Sequence, residues 1–190
     1  MNKGLRWRIV SLQVILVLVL GFCAGFAFWG SSFISGMVHD QLVAQKISFP
    51  PASEIRAGGA LDPAVFPQEI RNYAGQPLDT GDKARVYAND FIAIHLTKVA
   101  NGQTYSQVSA AALADPKNTA LANQANTLFK GETLRGLLLN AYGWSQVALY
   151  AFFAAIGLTV AAVAVLATLV FEVLVAPRTV KATRPQAIPA

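Results

Sequence analysis

Side chains able to carry acid–base or metal chemistry are few in this chain and far apart. Its two histidines, His39 and His95, are distant in sequence, and its one cysteine, Cys23, falls inside an apolar run. A zinc site takes about three or four nitrogen or sulfur ligands, and a mononuclear iron triad takes two histidines and a carboxylate. We therefore expect neither a metal nor a cofactor, and we expect Cys23 to behave as a small apolar side chain.

Common catalytic motifs are also missing, since the sequence has no GxSxG, P-loop, HExxH or CxxC pattern. Gly102, which follows Asn101, is typical of a helix end rather than of a phosphate loop. A single histidine on an apolar helix face, as predicted for His95, is more typical of a packed side chain than of a ligand or base. The sequence predicts no catalytic residue and a protein that is not an enzyme.

Four side chains remain as candidates for interaction or for a polar network: His95, Tyr105, Arg135 and Glu172. Glu172 is the one ionisable group in the longest apolar run and lies near its end, where it can reach water or pair with Arg6 or Arg8. A proton or ion path and a contact with a partner protein are the alternatives. Arg135 could pair with Glu132, three residues away, or meet a lipid phosphate.

The sequence contains two long apolar runs that we expect to position these residues. Val147–Val175 contains one charged residue in 29 positions, and Ile9–Trp29 contains none. About 20 apolar residues in a helix cross the hydrocarbon core of a bilayer, and Trp7 and Trp29 bracket the first run as expected at membrane interfaces. We predict two transmembrane helices. A cleavable signal peptide is the alternative for the first run, although that run is about twice the usual apolar length.

Small residues are spaced four apart in both runs. Gly21 and Gly25 share a face of the first predicted helix, and Gly157 and Ala161 share a face of the second. Small side chains let another helix backbone approach closely, so these four residues are predicted to pack helices together. The contacting helix could be the other run or part of a different protein.

Charge is distributed as expected for a membrane protein. The net charge is +5, although the segment between the runs carries nine basic and nine acidic residues. The excess comes from the two ends, which carry Lys3, Arg6, Arg8, Arg178, Lys181 and Arg184. The positive-inside rule then predicts a bacterial inner-membrane protein with both termini in the cytoplasm and residues 31–140 outside it. The neutral middle segment argues against nucleic-acid binding.

The segment between the runs has two predicted parts. Prolines and glycines recur over 47–80 without a period, which predicts an irregular stretch that wraps the outer domain or a partner, with a disordered linker as the alternative. The part after it is predicted to form about three helices: Thr80 or Asp82 to Ala100, Thr104 to Leu113, and Pro116 to Phe129. Gly131 is predicted to be a weak break before the last apolar helix.

The predicted fold is an all-α membrane protein with a small extracytoplasmic helical domain and an irregular Pro/Gly-rich segment. Its parts are a cytoplasmic basic head at 1–8, a transmembrane helix at 9–30, an extracytoplasmic irregular segment at 31–80, a helical domain at 81–140, a second transmembrane helix at 145–175 and a cytoplasmic basic tail at 176–190.

Three short motifs lie in the predicted helical domain: an alanine-rich stretch ending in Ile-x-x-His, a GxTY, and a Leu-Arg turn into the last apolar helix. They are formed by Ala88, Ile92, His95, Gly102, Thr104, Tyr105, Leu134, Arg135, Leu137 and Leu138. This pattern resembles a family of small two-span actinobacterial membrane proteins that are often labelled aromatic ring-opening dioxygenases. The chain departs from the family at Gly136, where the family has serine, and in its longer proline-rich stretch. The resemblance implies the architecture and an actinobacterial cell membrane. It does not imply the labelled activity, because the required iron ligands are missing.

Three functions are compatible with these features. The favoured one is a non-catalytic accessory or structural subunit of a larger bacterial membrane complex, of the respiratory or membrane monooxygenase type, which contacts other integral membrane subunits and the lipid bilayer. The second is an independent membrane-anchored extracytoplasmic sensor or ligand- or lipid-binding protein, which predicts a concave apolar pocket in the outer domain. The third is an enzyme or ion-path component that uses His95 or Glu172.

Overall fold

The computed structural model describes residues 3–175, which form helices and no strand. In chain order these are α1 (Lys3–Ala44), a 3-10 turn (Ala52–Glu54), α2 (Gln68–Arg71), α3 (Gly81–Val86), a π-helical segment (Tyr87–Ile92), α4 (Ala93–Val99), α5 (Tyr105–Ala114), α6 (Thr119–Val170) and a second π-helical segment (Phe171–Val175). The predicted all-helical class is confirmed for these residues. The predicted basic tail at 176–190 lies outside them.

α1 and α6 are the two described helices that are long and apolar enough to cross a membrane. The most apolar 18-residue window of each has a mean hydropathy of 2.5, and only 11% and 6% of the two windows are buried. A core helix of a soluble protein would be largely covered by its neighbours. The apolar surface of these two helices therefore needs a cover that the described residues do not supply.

The described chain divides into two compact units. The first, called here the helix pair, contains the residues up to Ser32 and those from Leu149 onward. The second, called here the middle unit, contains Phe33–Ala148. α1 and α6 each contribute to both units.

In the helix pair, buried and partly buried residues recur at alternating spacings of three and four. On the α6 side they are Ala151, Ala155, Leu158, Ala162, Val165, Leu169 and Glu172. On α1 the corresponding row is Arg6, Val10, Gln13, Val17, Leu20, Ala24, Ala27 and Ser31. A spacing of 3.5 residues is typical of helices that wind around each other, and the many alanines let the two backbones approach closely.

The contacts along this row run in opposite directions on the two helices. The rings of Phe28 and Phe152 are 5.8 Å apart, whereas Gln13 Nε2 donates to Thr168 Oγ1 at 3.4 Å. As the residue number rises on α1, the number of the contacting residue on α6 falls. The helix pair is therefore antiparallel, as two spans of one chain with both termini on one side of a membrane require.

The Pro/Gly-rich segment of the middle unit is folded back on itself. The amide of Phe49 donates to the carbonyl of Gln76, and the amide of Leu78 donates to the carbonyl of Ile47, each at 2.9 Å. These bonds close a loop whose two ends lie side by side. Within the loop, the Asp62 carboxylate accepts amide hydrogens from Gly58 and Ala64 at 2.8 and 2.9 Å. The segment is thus a closed, hydrogen-bonded loop rather than the disordered linker considered as its alternative.

This loop also supplies much of the core of the middle unit. Its fully or nearly fully buried side chains are Phe49, Leu61, Phe66, Ile70 and Leu78. They pack with residues of all the longer helices, including Val38, Leu42, Val86, Val108, Leu128 and Leu138. The loop packs against the helices of the middle unit because its own apolar side chains are buried there.

The stretch from Gly81 to Ala100 buries a row of residues spaced four apart: Ala84, Ala88, Ile92, Leu96 and Ala100. In a regular α-helix, a spacing of four drifts by about 40° at each step, so such a row turns away from the core. The π-helical segment Tyr87–Ile92 has a wider turn and reduces this drift. The sequence spacing and the irregular turn are therefore consistent with each other.

Helix starts agree with the prediction in two places and differ in a third. Thr80 Oγ1 accepts from the amide of Lys83 at 3.4 Å, and Thr104 forms a reciprocal capping box with Gln107. The helix predicted to begin at Pro116 begins instead at Thr119. That prediction was wrong because Asn118 caps this helix, with its side-chain oxygen accepting from the amide of Leu121 at 3.1 Å.

The predicted break at Gly131 is also wrong, since α6 continues through it from Thr119 to Val170. A Cβ atom at Gly131 would overlap the Leu96 side chain of α4. The glycine thus permits close packing of two helices. Gly81 has the same role, because a Cβ there would overlap Ser145 of α6 and lie 3.3 Å from the Cα atom of Tyr142.

Candidate functional site

A polar cluster of the middle unit lies where α2, α3 and α6 meet the first π-helical segment. Arg85 of α3 forms an ion pair with Glu69 of α2, and its guanidinium lies 5.9 Å from the ring centroid of Tyr142 of α6. The hydrogen bond that Arg85 donates to Glu69 raises the pKa of Arg85 further above its already high ordinary value. Arg85 therefore ties together three elements that are distant in sequence.

Asp90, on the π-helical segment, belongs to the same cluster. Its pKa is raised, first by partial burial and then by the negative charge of Glu69, while Arg85 acts in the opposite direction. Burial likewise raises the pKa of Tyr87. π-helical turns are frequent at functional sites, and this one presents a carboxyl group that holds its proton more tightly than usual.

Arg135 of α6 binds the same π-helical segment at a second point. Its Nη2 atom donates to Asn89 Oδ1 at 3.2 Å, and its Nη1 atom lies 3.4 Å from Glu132 Oε2. The predicted pair with Glu132 is present, and the contact with Asn89 is the one that sequence reasoning missed. The Nε atom of Arg135 is buried and has no hydrogen-bond partner among the described residues.

Taken together, these groups hold helices in place more than they offer reactive chemistry. Each arginine has a carboxylate partner in the cluster, and in residues 3–175 no group of three His, Cys, Asp or Glu side chains could hold a metal ion. The cluster can fix the π-helical segment against α6 and α2. The pKa of the Asp90 carboxyl in this cluster is raised.

His95 and Tyr105 lie outside this cluster. The His95 ring lies tilted against the rings of Phe91 and Phe66 at centroid distances of 4.4 and 5.3 Å. Its Nδ1 atom lies 2.8 Å from the Phe91 carbonyl, which can only accept, so the nitrogen donates. Tyr105 is paired with Phe129 across 5.8 Å on the surface of the unit. Both side chains are exposed, and among the described residues no polar network joins them.

The four small residues predicted to pack helices do not pack the helix pair. Added Cβ atoms at Gly21, Gly25 and Gly157 would have no neighbour within 4 Å among the described residues, and Ala161 is exposed. The expectation that these faces meet each other is therefore not met in this structure. Their contact with a different protein stays a prediction.

Glu172 and Arg6 contact each other at one end of the helix pair. The Arg6 Nε atom lies 4.0 Å from Glu172 Oε1, and its Nη2 atom donates to the Glu172 carbonyl at 2.7 Å. The second π-helical segment leaves that carbonyl available to a side chain. One turn further in, Gln13 Oε1 is buried and lacks a donor in the described part of the chain.

The residues that sequence reasoning missed are of two kinds: members of regularly spaced rows and partners of the two arginines. The 3.5-residue rows through Ala24 and Ala155 and the four-residue row through Ala88 are both visible in the sequence once sought. The partners of Arg85 and Arg135 could not be found this way, because Glu69 and Asn89 are distant in sequence.

Comparison with known proteins gives no identification. The chain matches no protein-family model, no curated protein and no solved structure. The resemblance to two-span actinobacterial proteins therefore stays a prediction, and the functional argument depends on the geometry described above.

Proposed function

We propose that the chain is a two-span membrane protein that acts as a non-catalytic accessory subunit of a larger bacterial membrane complex, of the respiratory or membrane monooxygenase type. In this proposal both termini are cytoplasmic and residues 31–140 face away from the cytoplasm. The middle unit contributes a contact domain, and the helix pair contributes a surface for other integral membrane subunits.

One observation carries the proposal. Besides the row that faces α1, α6 has a second row of small residues with alternating spacing, and every member of it is exposed: Ala154, Gly157, Ala161 and Ala164. In lipid, small residues are favoured where another helix backbone approaches closely. The first row is already covered within the helix pair, whereas this second row is not covered by any of the described residues.

A sensor or ligand-binding protein is the less favoured alternative. It requires a pocket in the middle unit, and the cavity between α1 and α6 there measures about 130 Å³. Pockets for drug-sized ligands measure roughly 300–1,000 Å³. The lining of Met37, Gln41, Asn140 and Trp144 is mixed rather than apolar, so this cavity gives the alternative little support.

The test is extraction in mild detergent followed by native mass analysis of the full chain and two variants. Ala161→Leu fills the exposed row, while Ala167→Leu makes the same change about 120° around the helix. We expect a co-purifying membrane protein with the wild type and Ala167→Leu, and its loss with Ala161→Leu. A wild-type chain that purifies cleanly as a monomer or homo-oligomer would contradict the proposal.

A further inference from the structure

The N-terminal end of α1 carries two open clefts, and Trp7 lines both of them. The larger measures about 440 Å³ and is lined by Trp7, Arg8, Ser11 and Leu12. The smaller measures about 260 Å³ and is lined by Arg6, Trp7, Val10 and Val173. Trp7 is 71% exposed and Leu12 is 67% exposed, so the clefts lie on uncovered apolar surface.

The two arginines beside Trp7 differ in how their charge is used. Arg6 is paired with Glu172 and also donates to its carbonyl. The Arg8 side chain makes no hydrogen bond and no ion pair with any described residue. Among the described residues, the larger cleft therefore carries one uncompensated positive charge, and the smaller one carries none.

The polar side chains that line the larger cleft, Arg8 and Ser11, can both donate hydrogen bonds. Arg8 and Ser11 are three residues apart and so share a helix face. A guanidinium binds a phosphate through two parallel hydrogen bonds, and a serine hydroxyl can add a third. Trp7 and Leu12 supply the apolar surface on either side of these donors.

We propose that this cleft binds one anionic phospholipid. Arg8 and Ser11 hold its phosphodiester, and the glycerol backbone and upper acyl chains lie against Trp7 and Leu12. A lipid with net charge of minus one neutralises Arg8, whereas a zwitterionic lipid brings a cation that Arg8 repels. Basic groups at the cytoplasmic end of a membrane helix attract anionic head groups in this way, and tryptophan favours the same depth. This inference rests on the proposed membrane location of α1.

The experiment uses the full chain in detergent, titrated with phosphatidylglycerol or phosphatidylcholine and examined by native mass spectrometry. We expect one retained phosphatidylglycerol, and an affinity about tenfold lower in Arg8→Gln, because a charge-assisted hydrogen bond is lost. Arg8→Lys should be intermediate, since it keeps the charge and loses the paired geometry. Lys3→Gln removes the same charge from the same end of the chain and should leave the affinity nearly unchanged.

Several outcomes would overturn the inference. Equal losses of lipid affinity in Arg8→Gln and Lys3→Gln would mean that the lipid is attracted by general positive charge and not by a site. Equal retention of the two lipids would contradict the role of the Arg8 charge. Displacement by millimolar inorganic phosphate would assign the site to a free anion. Flotation of the chain with phosphatidylglycerol vesicles separates the two proposals. A chain that does not float contradicts the membrane location and the lipid site together, whereas a floating Arg8→Gln variant with wild-type lipid affinity contradicts the lipid site alone.

Discussion

The helix pair and the middle unit bury apolar side chains in two different ways. The pair uses one narrow row on each helix, rich in alanine, and leaves large side chains such as Phe22 and Val160 exposed on its other faces. The middle unit surrounds its largest core side chains, such as Leu61 and Ile70, completely. The comparison teaches that the middle unit is stabilised by its own core. The pair depends on what surrounds it, which we propose to be lipid and other subunits.

The largest difference should appear when the same side chain is shortened in each region. Leu61 is fully buried in the middle unit, and Leu166 of the pair is 45% exposed. Leu61→Ala should destabilise the middle unit by about 2–5 kcal/mol, because it removes buried surface and leaves a cavity. Leu166→Ala should change stability by no more than about 0.5 kcal/mol. Denaturant unfolding of the detergent-solubilised chain, followed by circular dichroism, measures both, and similar effects would erase the distinction.

Two glycine substitutions, one in α3 and one in α6, should change the stability of the middle unit in opposite directions. Gly81→Ala forces a Cβ into Ser145, so we expect a loss of about 1–3 kcal/mol. Gly136→Ala adds a Cβ that meets nothing within 4 Å among the described residues, and it should stabilise the helix by up to about 1 kcal/mol. The midpoint of thermal unfolding should therefore move in opposite directions in the two variants. A rise for Gly81→Ala would show that the close approach of α3 to α6 is absent.

A larger side chain in the buried row should destabilise the helix pair and leave the middle unit unchanged. Ala155 is fully buried, and Ala155→Leu is expected to weaken the pair by about 1–3 kcal/mol. Ala167→Leu places the same side chain on an exposed face and should have little effect on the isolated chain. Hydrogen exchange of backbone amides in residues 4–32 and 149–170 measures the change locally. Unchanged protection in Ala155→Leu would contradict the assigned row.

The smallest effects concern two carboxyl groups of the middle unit with opposite pKa shifts. The pKa of Asp90 is raised in the folded state, so its contribution to stability is greatest below the unfolded pKa and is lost as pH rises through the folded value. Asp90→Asn should stabilise the unit slightly at neutral pH, and this gain should vanish in acid.

For Asp62 the sign is reversed, because hydrogen bonds from the amides of Gly58 and Ala64 lower its pKa. Its contribution is fully present above the unfolded pKa and is lost as pH falls through the folded value. Asp62→Asn should therefore cost stability at neutral pH and not in acid. Unfolding midpoints measured across the acidic range check both signs, and parallel profiles for the two variants would contradict the assignments.

Much of this fold follows from local sequence patterns. Apolar length predicts the two long helices, and the caps at Thr80 and Thr104 fix the starts of α3 and α5. The error at Gly131 has a clear cause. Gly131 was interpreted through the general rule that glycine breaks a helix, but its role depends on Leu96, which lies opposite it. At Gly157 a Cβ atom would meet no neighbour among the described residues, so its predicted contact with a different protein stays a prediction.

The long-range contacts of the polar cluster could not be predicted from local sequence patterns, for a related reason. Arg135 and Glu132 are close in sequence, and their pairing could be predicted. Arg85 and Glu69 are brought together only because the Pro/Gly-rich loop folds back onto the helices. Long-range pairs of this kind depend on the packed core, which a charge pattern along the chain does not reveal.

Cysteine cross-linking in native bacterial membranes tests most directly the central claim, an antiparallel membrane-embedded pair whose buried rows include Ala24 and Ala155. In a Cys23→Ala background, Ala24→Cys with Ala155→Cys is compared with Gly21→Cys with Gly157→Cys, since a disulfide needs Cα atoms within about 7 Å. We expect an intrachain disulfide for the alanine pair, in protein that stays in the membrane fraction, and none for the glycine pair. A disulfide at the glycine pair alone, or recovery of the chain in the soluble fraction, would contradict it.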